Sequence, residues 1–180
     1  FAAGELDAIT INFPTPQPKA KYAKKRLVHV DHLMLYRPLF SAGATVTLRT
    51  DSKPLRDYAL GQFAAAGYDT LWVSDDVRRD HPEHPETEYE RRTREMGAAV
   101  YGICATPGAQ PSDEQLAAGR AQEQSLACYL PDNLDELAYV PLGMEEAVEN
   151  FRNRARKGKK RLPQESQGPL MVAASANKRK

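Results

Sequence analysis

The sequence predicts an α/β fold built on a largely parallel β-sheet. Four short runs of apolar and β-branched residues are typical of strands, helical spacing separates the first three, and prolines or glycines mark the boundaries. The predicted strands are 6–13, 44–50, 70–74 and 98–104. The last two lack a long amphipathic helix between them, so we expect one of these strands to run antiparallel at the edge of the sheet.

Helices are predicted between the strands and after them. Pro54 stands where the first turn of a helix accepts proline, and Gly67 supplies the stop of that helix. Apolar residues at helical spacing predict the other helices. The predicted helices are 24–36, 54–66, 88–96 and 144–156, and two further helix starts are predicted at Ser112 and Asn133.

Composition and charge restrict the class of protein. The chain has 180 residues, 41% of them hydrophobic and 27% charged, which is typical of a globular protein. No apolar run approaches the roughly 18 residues of a membrane span, and no signal peptide is visible. The net charge of +1 provides no global attraction to nucleic acid. Because Phe1 opens the sequence, we expect a truncated, processed or partial chain.

The domain boundaries are predicted from a change in composition. The α/β unit would cover residues 1–106, and residues 107–162 are expected to form a helical extension. The remaining residues, 163–180, are rich in Gln, Ser and Ala, so we expect them to be a disordered tail.

The cysteines and histidines do not predict a metal centre. Cys104 and Cys128 lack zinc-site spacing, so we expect two reduced thiols in a cytoplasmic protein. Two histidine pairs have a spacing of three residues: His29 with His32, and His81 with His84. Neither pair has an evident third ligand, so we expect no metal site.

Two predicted strand ends point to a ligand crevice. Ligands of open α/β sheets bind at the carboxyl ends of the parallel strands. The first strand is followed by Thr15, and the second is followed by Asp51. If these strands are neighbours, about 4.8 Å apart, Thr15 and Asp51 face the same crevice.

A basic cluster directly follows the first strand. It contains Lys19, Lys21, Lys24, Lys25 and Arg26. Such a cluster neutralises phosphates, although a charge run also opens many solvated helices. We favour the phosphate interpretation because cations at a helix N-terminus oppose the helix dipole. A second basic run, from Arg152 to Arg161, fits RNA contact and a solvated helix end equally well.

The segment from Thr87 to Glu90 has two interpretations that are compatible. Thr-x-x-Glu before a helix forms a capping box, in which each side chain binds the backbone amide of the other residue. From the sequence alone this structural role is the stronger one. A capped helix start is also a rigid place from which to hold a ligand.

Taken in order, these segments resemble the C-terminal half of the bacterial tRNA (guanine-N7)-methyltransferases. The resemblance covers about residues 6–104 and rests on an ordered set of motifs. The matching segments are Phe13–Lys19, Lys24–Val28, Arg49–Leu55, Thr87–Arg92 and Gly97. Residues after about Pro107 have no counterpart in the family pattern.

The resemblance implies a Rossmann-like fold, S-adenosylmethionine as cofactor and tRNA as partner. Lys19 and Asp51 would contact the substrate, and Thr87 and Glu90 would line the cofactor or guanine pocket. The family's glycine loop for the cofactor lies upstream of the matched region. The residues that would bind the tRNA backbone are Lys21, Lys24, Lys25 and Arg26.

Two positions depart from the family pattern. Thr15 stands at the catalytic position, where the family has aspartate, and Gln17 replaces a tryptophan. Guanine N7 carries an exposed lone pair, so methylation needs no catalytic base. Loss of one electrostatic partner typically costs on the order of 10²- to 10³-fold in rate, so Thr15 predicts a slower enzyme.

Two alternatives remain open. The departures at Thr15 and Gln17 also fit a non-catalytic RNA-binding relative. In addition, a half-sheet exposes an unpaired strand edge, which favours association with the missing N-terminal half or with a second copy of the chain.

Overall fold

Four strands form one sheet in the computed structural model, which describes residues 1–134, 137 and 139–156. The strands are β1 (Leu6–Asn12), β2 (Phe40–Thr50), β3 (Tyr68–Ser74) and β4 (Tyr101–Pro107). Their order is β1-β2-β4-β3, with β1 parallel to β2 and β4 antiparallel to both of its neighbours. Three of the four strands therefore share one direction, which confirms the predicted α/β sheet.

The antiparallel strand does not lie at the edge, so that part of the prediction is wrong. Only short helices connect β3 to β4, so the chain returns antiparallel beside β3. β4 lies between β2 and β3 and pairs with both of them. Among the described residues, β1 and β3 are therefore the two edges.

Six α-helices accompany the sheet in the described part of the chain. They are α1 (Val30–Tyr36), α2 (Lys53–Ala65), α3 (Val77–Asp80), α4 (Glu88–Glu95), α5 (Asp113–Ala121) and α6 (Glu145–Arg156). Three short 3₁₀ turns cover Ala20–Lys25, Arg37–Leu39 and Leu126–Tyr129. The predicted helices from Pro54, from Glu88 and from Ser112 are confirmed, and Ser112 forms a complete capping box with Gln115.

The predicted helix 24–36 is wrong in its first part. The 3₁₀ turn ends at Lys25, and Arg26 and His29 are both extended, with ψ angles of 129° and 144°. α1 begins only at Val30, where the ring nitrogen of His29 accepts a hydrogen bond from the amide of Asp31. Residues 26–29 are not helical because the chain turns there to bring Arg26 into the interior.

β2 begins four residues earlier than predicted because a bulge replaces the expected break. Leu6 pairs with Phe40 and Ala8 pairs with Thr45, so β2 holds extra residues opposite one residue of β1. Gly43 lies in this bulge with a φ of 77°, a backbone conformation that favours glycine. The glycine therefore bends the strand without ending it.

One hydrophobic core joins the sheet, α2 and the C-terminal extension. The predicted apolar stripe of α2 is buried: Leu55, Tyr58, Ala59 and Phe63. Leu48 of β2 and Ile103 of β4 are fully buried beneath it. From the extension, Leu126 and Met144 are also fully buried in this core, so residues after β4 pack against the sheet unit.

Some predictions fall on residues outside the described part of the chain. The helix start predicted at Asn133 needs Glu136, and the tail 163–180 and most of the basic run to Arg161 lie beyond residue 156. Among the described helices, none has the length and apolar character that crossing a membrane requires.

Candidate functional site

The carboxyl ends of β1 and β2 lie side by side, as predicted. The two strands pair in parallel up to Asn12 opposite Arg49, and the amide of Phe13 donates to the carbonyl of Arg49 at 2.7 Å. The segments that carry Thr15 and Asp51 therefore leave the sheet at the same end. In open α/β sheets, ligands bind in the crevice at this end of the parallel strands.

The loop after β1 is strained, and Arg26 holds it in place. Phe13 and Gln17 flank Thr15 with φ angles of 46° and 52°, which bulky residues rarely adopt. The Arg26 guanidinium donates to the carbonyl of Gln17 at 2.7 Å and to that of Pro16 at 3.2 Å. The exposed fraction of Arg26 is 1%. The structure thus contradicts the RNA-contact role predicted for Arg26, because its charged group is used inside the protein.

Asp51 is a buried carboxylate between two tyrosine hydroxyls. Its exposed fraction is 7%, and Oδ2 accepts hydrogen bonds from Tyr89 at 3.1 Å and Tyr139 at 3.0 Å. Burial raises the pKa of Asp51, while the two hydroxyl donors lower it. Burial and the nearby Asp51 raise the pKa of both tyrosines, so the hydroxyls stay protonated and able to donate.

The C-terminal extension covers the crevice. A Cβ atom built on Gly143 would lie 3.8 Å from Cγ2 of Thr15, and Lys19 forms an ion pair with Glu146 of α6 at 2.8 Å. Thr15 and Lys19 are both exposed at this edge. A cavity of about 200 Å³ lies beside Lys19, with Phe151 in its lining. The extension therefore contacts Lys19 and Asp51 of the predicted site and passes close to Thr15.

Sequence reasoning missed Tyr139. It lies in a segment with no clear periodicity and no counterpart in the family pattern, 88 residues after Asp51. A lone tyrosine in such a segment carries no signal that links it to a distant carboxylate. Only the three-dimensional packing of the extension onto the sheet places the two groups together.

The resemblance implied that Glu90 lines the cofactor or guanine pocket, whereas in the structure it is a buried ion-pair residue. Its carboxylate is fully buried and pairs with the guanidinium groups of Arg49 and Arg78. Thr87 caps α4 as predicted, since its hydroxyl accepts from the amide of Glu90 at 3.1 Å. The prediction for the other half of the capping box is wrong. The Glu90 side chain turns inward to the two arginines instead of binding the backbone amide of Thr87.

Of the four residues predicted to bind the tRNA backbone, three lysines are exposed. We call them the basic turn: Lys21, Lys24 and Lys25. They belong to the 3₁₀ turn Ala20–Lys25, so the helix-dipole argument made for them does not apply. None of the three forms an ion pair with a residue that the structure describes. Lys21 and Lys25 each lie 4.9 Å from the ring of Tyr22, in the segment that follows the Thr15 loop.

The two histidine pairs have different environments. His29 is buried and caps α1, so it does not form a site with His32. In the other pair, Glu83 lies between His81 and His84, and one ligand atom from each residue lies within 4.8 Å of the others. The sequence argument that no third ligand lies near this pair is therefore wrong.

Removing the Tyr139 hydroxyl tests the geometry around Asp51. Tyr139→Phe should raise the pKa of Asp51 further, because a donor to the ionised carboxylate is lost while burial still favours the neutral form. The shift can be measured from the ¹³C resonance of the Asp51 carboxyl group. Tyr36→Phe is the control, since the Tyr36 hydroxyl donates to the carbonyl of Leu27 away from Asp51. An unchanged or lowered pKa in Tyr139→Phe would contradict the geometry.

Comparisons with known proteins agree with this architecture. The methyltransferase family model Methyltransf_4 matches residues 1–103. The chain is 33% identical over 107 residues to proteins named tRNA (guanine-N(7)-)-methyltransferase from Streptococcus equi subsp. zooepidemicus and Exiguobacterium sibiricum. A protein of the same name from Lactococcus lactis subsp. cremoris is 31% identical over 106 residues.

These matches cover only part of each protein. They include 59%, 59% and 57% of this chain and 51%, 50% and 49% of the three relatives. The chain thus spans about half the length of the curated relatives it matches. The mixed α/β sheet and the family match together confirm the predicted Rossmann-like methyltransferase fold. The chain belongs to the Methyltransf_4 family of methyltransferases.

Proposed function

We propose that this chain is the C-terminal part of an enzyme that transfers a methyl group from S-adenosylmethionine to guanine N7 in tRNA. One observation carries the proposal: Asp51 is a buried carboxylate at the end of β2, beside the Thr15 loop and near the basic turn. The names of the relatives support the same activity.

Asp51 has the chemistry to bind guanine. An ionised carboxylate only accepts hydrogen bonds, and it has more acceptor sites than the two tyrosine hydroxyls occupy. Guanine presents N–H donors on its Watson–Crick edge, and such bonds are stronger at a buried group. N7 lies on the opposite edge of the base as a bare acceptor. Asp51 would thus orient the base and leave N7 accessible for methylation.

The position of Thr15 is consistent with a transferase of reduced rate. Thr15 is exposed in the loop at the crevice, at the family's aspartate position, and it contributes no charge. Because N7 already has a lone pair, catalysis depends on placing the base correctly and on electrostatic stabilisation. We propose that Thr15 still allows correct placement of the base but provides less electrostatic stabilisation than the family's aspartate.

The cofactor would be held by residues beyond this chain. None of β1, β2 and β3 is followed by a glycine-rich loop in the described residues, so these strand ends do not fit a cofactor cradle. β1 is an open edge of the described sheet. We propose that additional strands, which carry the cofactor loop, pair along β1, either from the same protein or from a second copy.

The basic turn is proposed to bind the tRNA backbone. Replacing Lys21, Lys24 and Lys25 with alanine should weaken tRNA binding and reduce the slope of log K against log salt by about 2–3, since each phosphate contact contributes roughly 0.7–0.9. Binding titrations at several salt concentrations measure this slope.

A matched triple variant on α4 serves as the control. Arg91, Arg92 and Arg94 carry the same total charge, but each is paired with a glutamate. Replacing these three with alanine should change the slope little. Equal effects of the two triple variants would indicate a general loss of charge and would contradict a defined RNA contact at the basic turn.

Cofactor affinity separates the proposed enzyme from a non-catalytic RNA-binding relative. The complete protein should bind S-adenosylmethionine with a dissociation constant in the micromolar range, which calorimetry measures. If the complete protein binds tRNA but shows no cofactor binding, the non-catalytic alternative replaces the proposal.

A further inference from the structure

Three side chains with metal-ligating groups lie on one turn between α3 and α4. They are His81, Glu83 and His84. Nδ1 of His81 lies 3.3 Å from Oε1 of Glu83, and Nε2 of His84 lies 3.9 Å from the same oxygen. This cluster is separate from Asp51 and from the basic turn, and nothing in the proposed transferase activity uses it.

The local sequence explains why the two imidazoles come together. The amide of His84 donates to the carbonyl of His81 at 3.2 Å, which closes a four-residue turn. Pro82 occupies the second position of this turn, where its fixed φ angle is favoured. The turn places the two imidazole rings 5.8 Å apart between centroids. The side chain of Glu83, at the third position, reaches both rings.

The turn is anchored to the interior. The Arg78 guanidinium donates to the carbonyl of His84 at 2.7 Å, and the Arg49 guanidinium donates to that of Pro85 at 2.8 Å. Both arginines pair with the buried Glu90. The backbone that carries the three side chains is therefore ordered by contacts that need no ligand, which reduces the entropy cost of binding one.

The ring of His81 is also oriented before any ligand binds. It stacks on the indole of Trp72 from β3, with ring centroids 4.1 Å apart and an interplanar angle of 28°. The ring of His84 lies 5.7 Å from the same indole. Such neighbours fix the direction of a ligating imidazole, as outer contacts do in metal sites.

We propose that His81, Glu83 and His84 form a binding site for a divalent transition-metal ion such as Zn²⁺, Ni²⁺ or Cu²⁺. Two imidazole nitrogens and one carboxylate oxygen match the ligand preferences of these ions, whereas Ca²⁺ and Mg²⁺ prefer oxygen ligands. Bonds of about 2.1 Å in tetrahedral zinc place the ligand atoms roughly 3.4 Å apart. The His81–Glu83 pair already has this separation, and small side-chain rotations bring in His84. Water would complete the coordination.

Trp72 supplies a reporter at the site. It is the single tryptophan of the chain, so its fluorescence arises from a residue that touches His81. Titration of tag-free protein with Cu²⁺ should quench this fluorescence in a saturable way at one ion per chain. Zn²⁺ does not quench by itself, and because Cu²⁺ binds such sites more tightly, only a large excess of Zn²⁺ should shift the quenching titration to higher Cu²⁺ concentrations.

Variants assign the quenching to the cluster. His84→Ala and Glu83→Gln should each weaken Cu²⁺ binding by about 10-fold or more, because loss of an outer contact alone costs that much. His32→Ala is the control and should bind as the unchanged protein does. Both test residues lie on a surface turn, and circular dichroism verifies that the variants remain folded.

Two outcomes would overturn the proposal. One is quenching that stays equally strong in His84→Ala and Glu83→Gln, which would assign the bound ion to other groups. The other is quenching that rises without saturation, which would indicate collisional contact with ions in solution.

Discussion

Glu90→Gln should lower the free energy of unfolding by about 3–5 kcal/mol, because it removes the carboxylate that two arginine charges near the interior share. Glu90 is fully buried and pairs with Arg49 and Arg78, whose side chains are 2% and 13% exposed. The same carboxylate positions the start of α4 and, through the two arginines, the turn that follows α3. Urea unfolding followed by circular dichroism measures the loss.

Glu88→Gln on the same helix is the matched control. Glu88 is exposed and pairs with Arg91 and Arg92 at the surface, where ion pairs contribute little to stability. It should therefore leave the urea midpoint nearly unchanged. If the two substitutions destabilise the protein equally, the buried ion pairs of Glu90 do not have the structural role assigned to them.

Asp51→Asn in the complete protein should reduce kcat/KM for tRNA methylation by about 10²-fold, a typical cost of removing one electrostatic partner from a site. The amide still accepts hydrogen bonds from Tyr89 and Tyr139, so the fold should be retained. The loss of the negative charge and of acceptor sites should weaken the binding of guanine. Steady-state methyl-transfer kinetics with undermodified tRNA measure the effect.

Asp57→Asn provides the control for this substitution. Asp57 lies on the adjoining α2 and pairs with the exposed Lys53 and with Arg56, which also pairs with Asp75. Among the described residues it pairs with neither Asp51 nor the two tyrosines, so kcat/KM should stay within about twofold. Similar losses in both variants would attribute the defect to general destabilisation and would contradict the role of Asp51.

The strand ends of the site could be predicted from the sequence. Apolar, β-branched runs before Thr15 and Asp51 identified β1 and β2, and the parallel arrangement placed their carboxyl ends together. Buried strands have a strong local signal because both the residue types and the flanking prolines contribute to it. The positions of β3 and β4 in the sheet were harder to predict, because strand order depends on contacts between segments that are distant in sequence.

The roles of Arg26 and Glu90 could not be predicted because their sequence patterns indicate surface positions. An arginine at the end of a basic run is expected to be exposed, since arginine is rarely fully buried unless it is paired. Here the strained Gln17 loop presents carbonyl groups that require an inward-facing donor. Likewise, Glu90 completes a capping-box pattern, but Arg49 and Arg78 attract its carboxylate more strongly than one backbone amide does.

The position of methyl transfer tests the central claim most directly. The complete protein should be incubated with methyl-labelled S-adenosylmethionine and undermodified tRNA, and the labelled nucleoside should be identified after digestion. The proposed function predicts label on N7 of guanosine, with the signal greatly reduced in Asp51→Asn. Label on another atom or base, or no label under conditions in which a related active enzyme methylates the same tRNA, would contradict it.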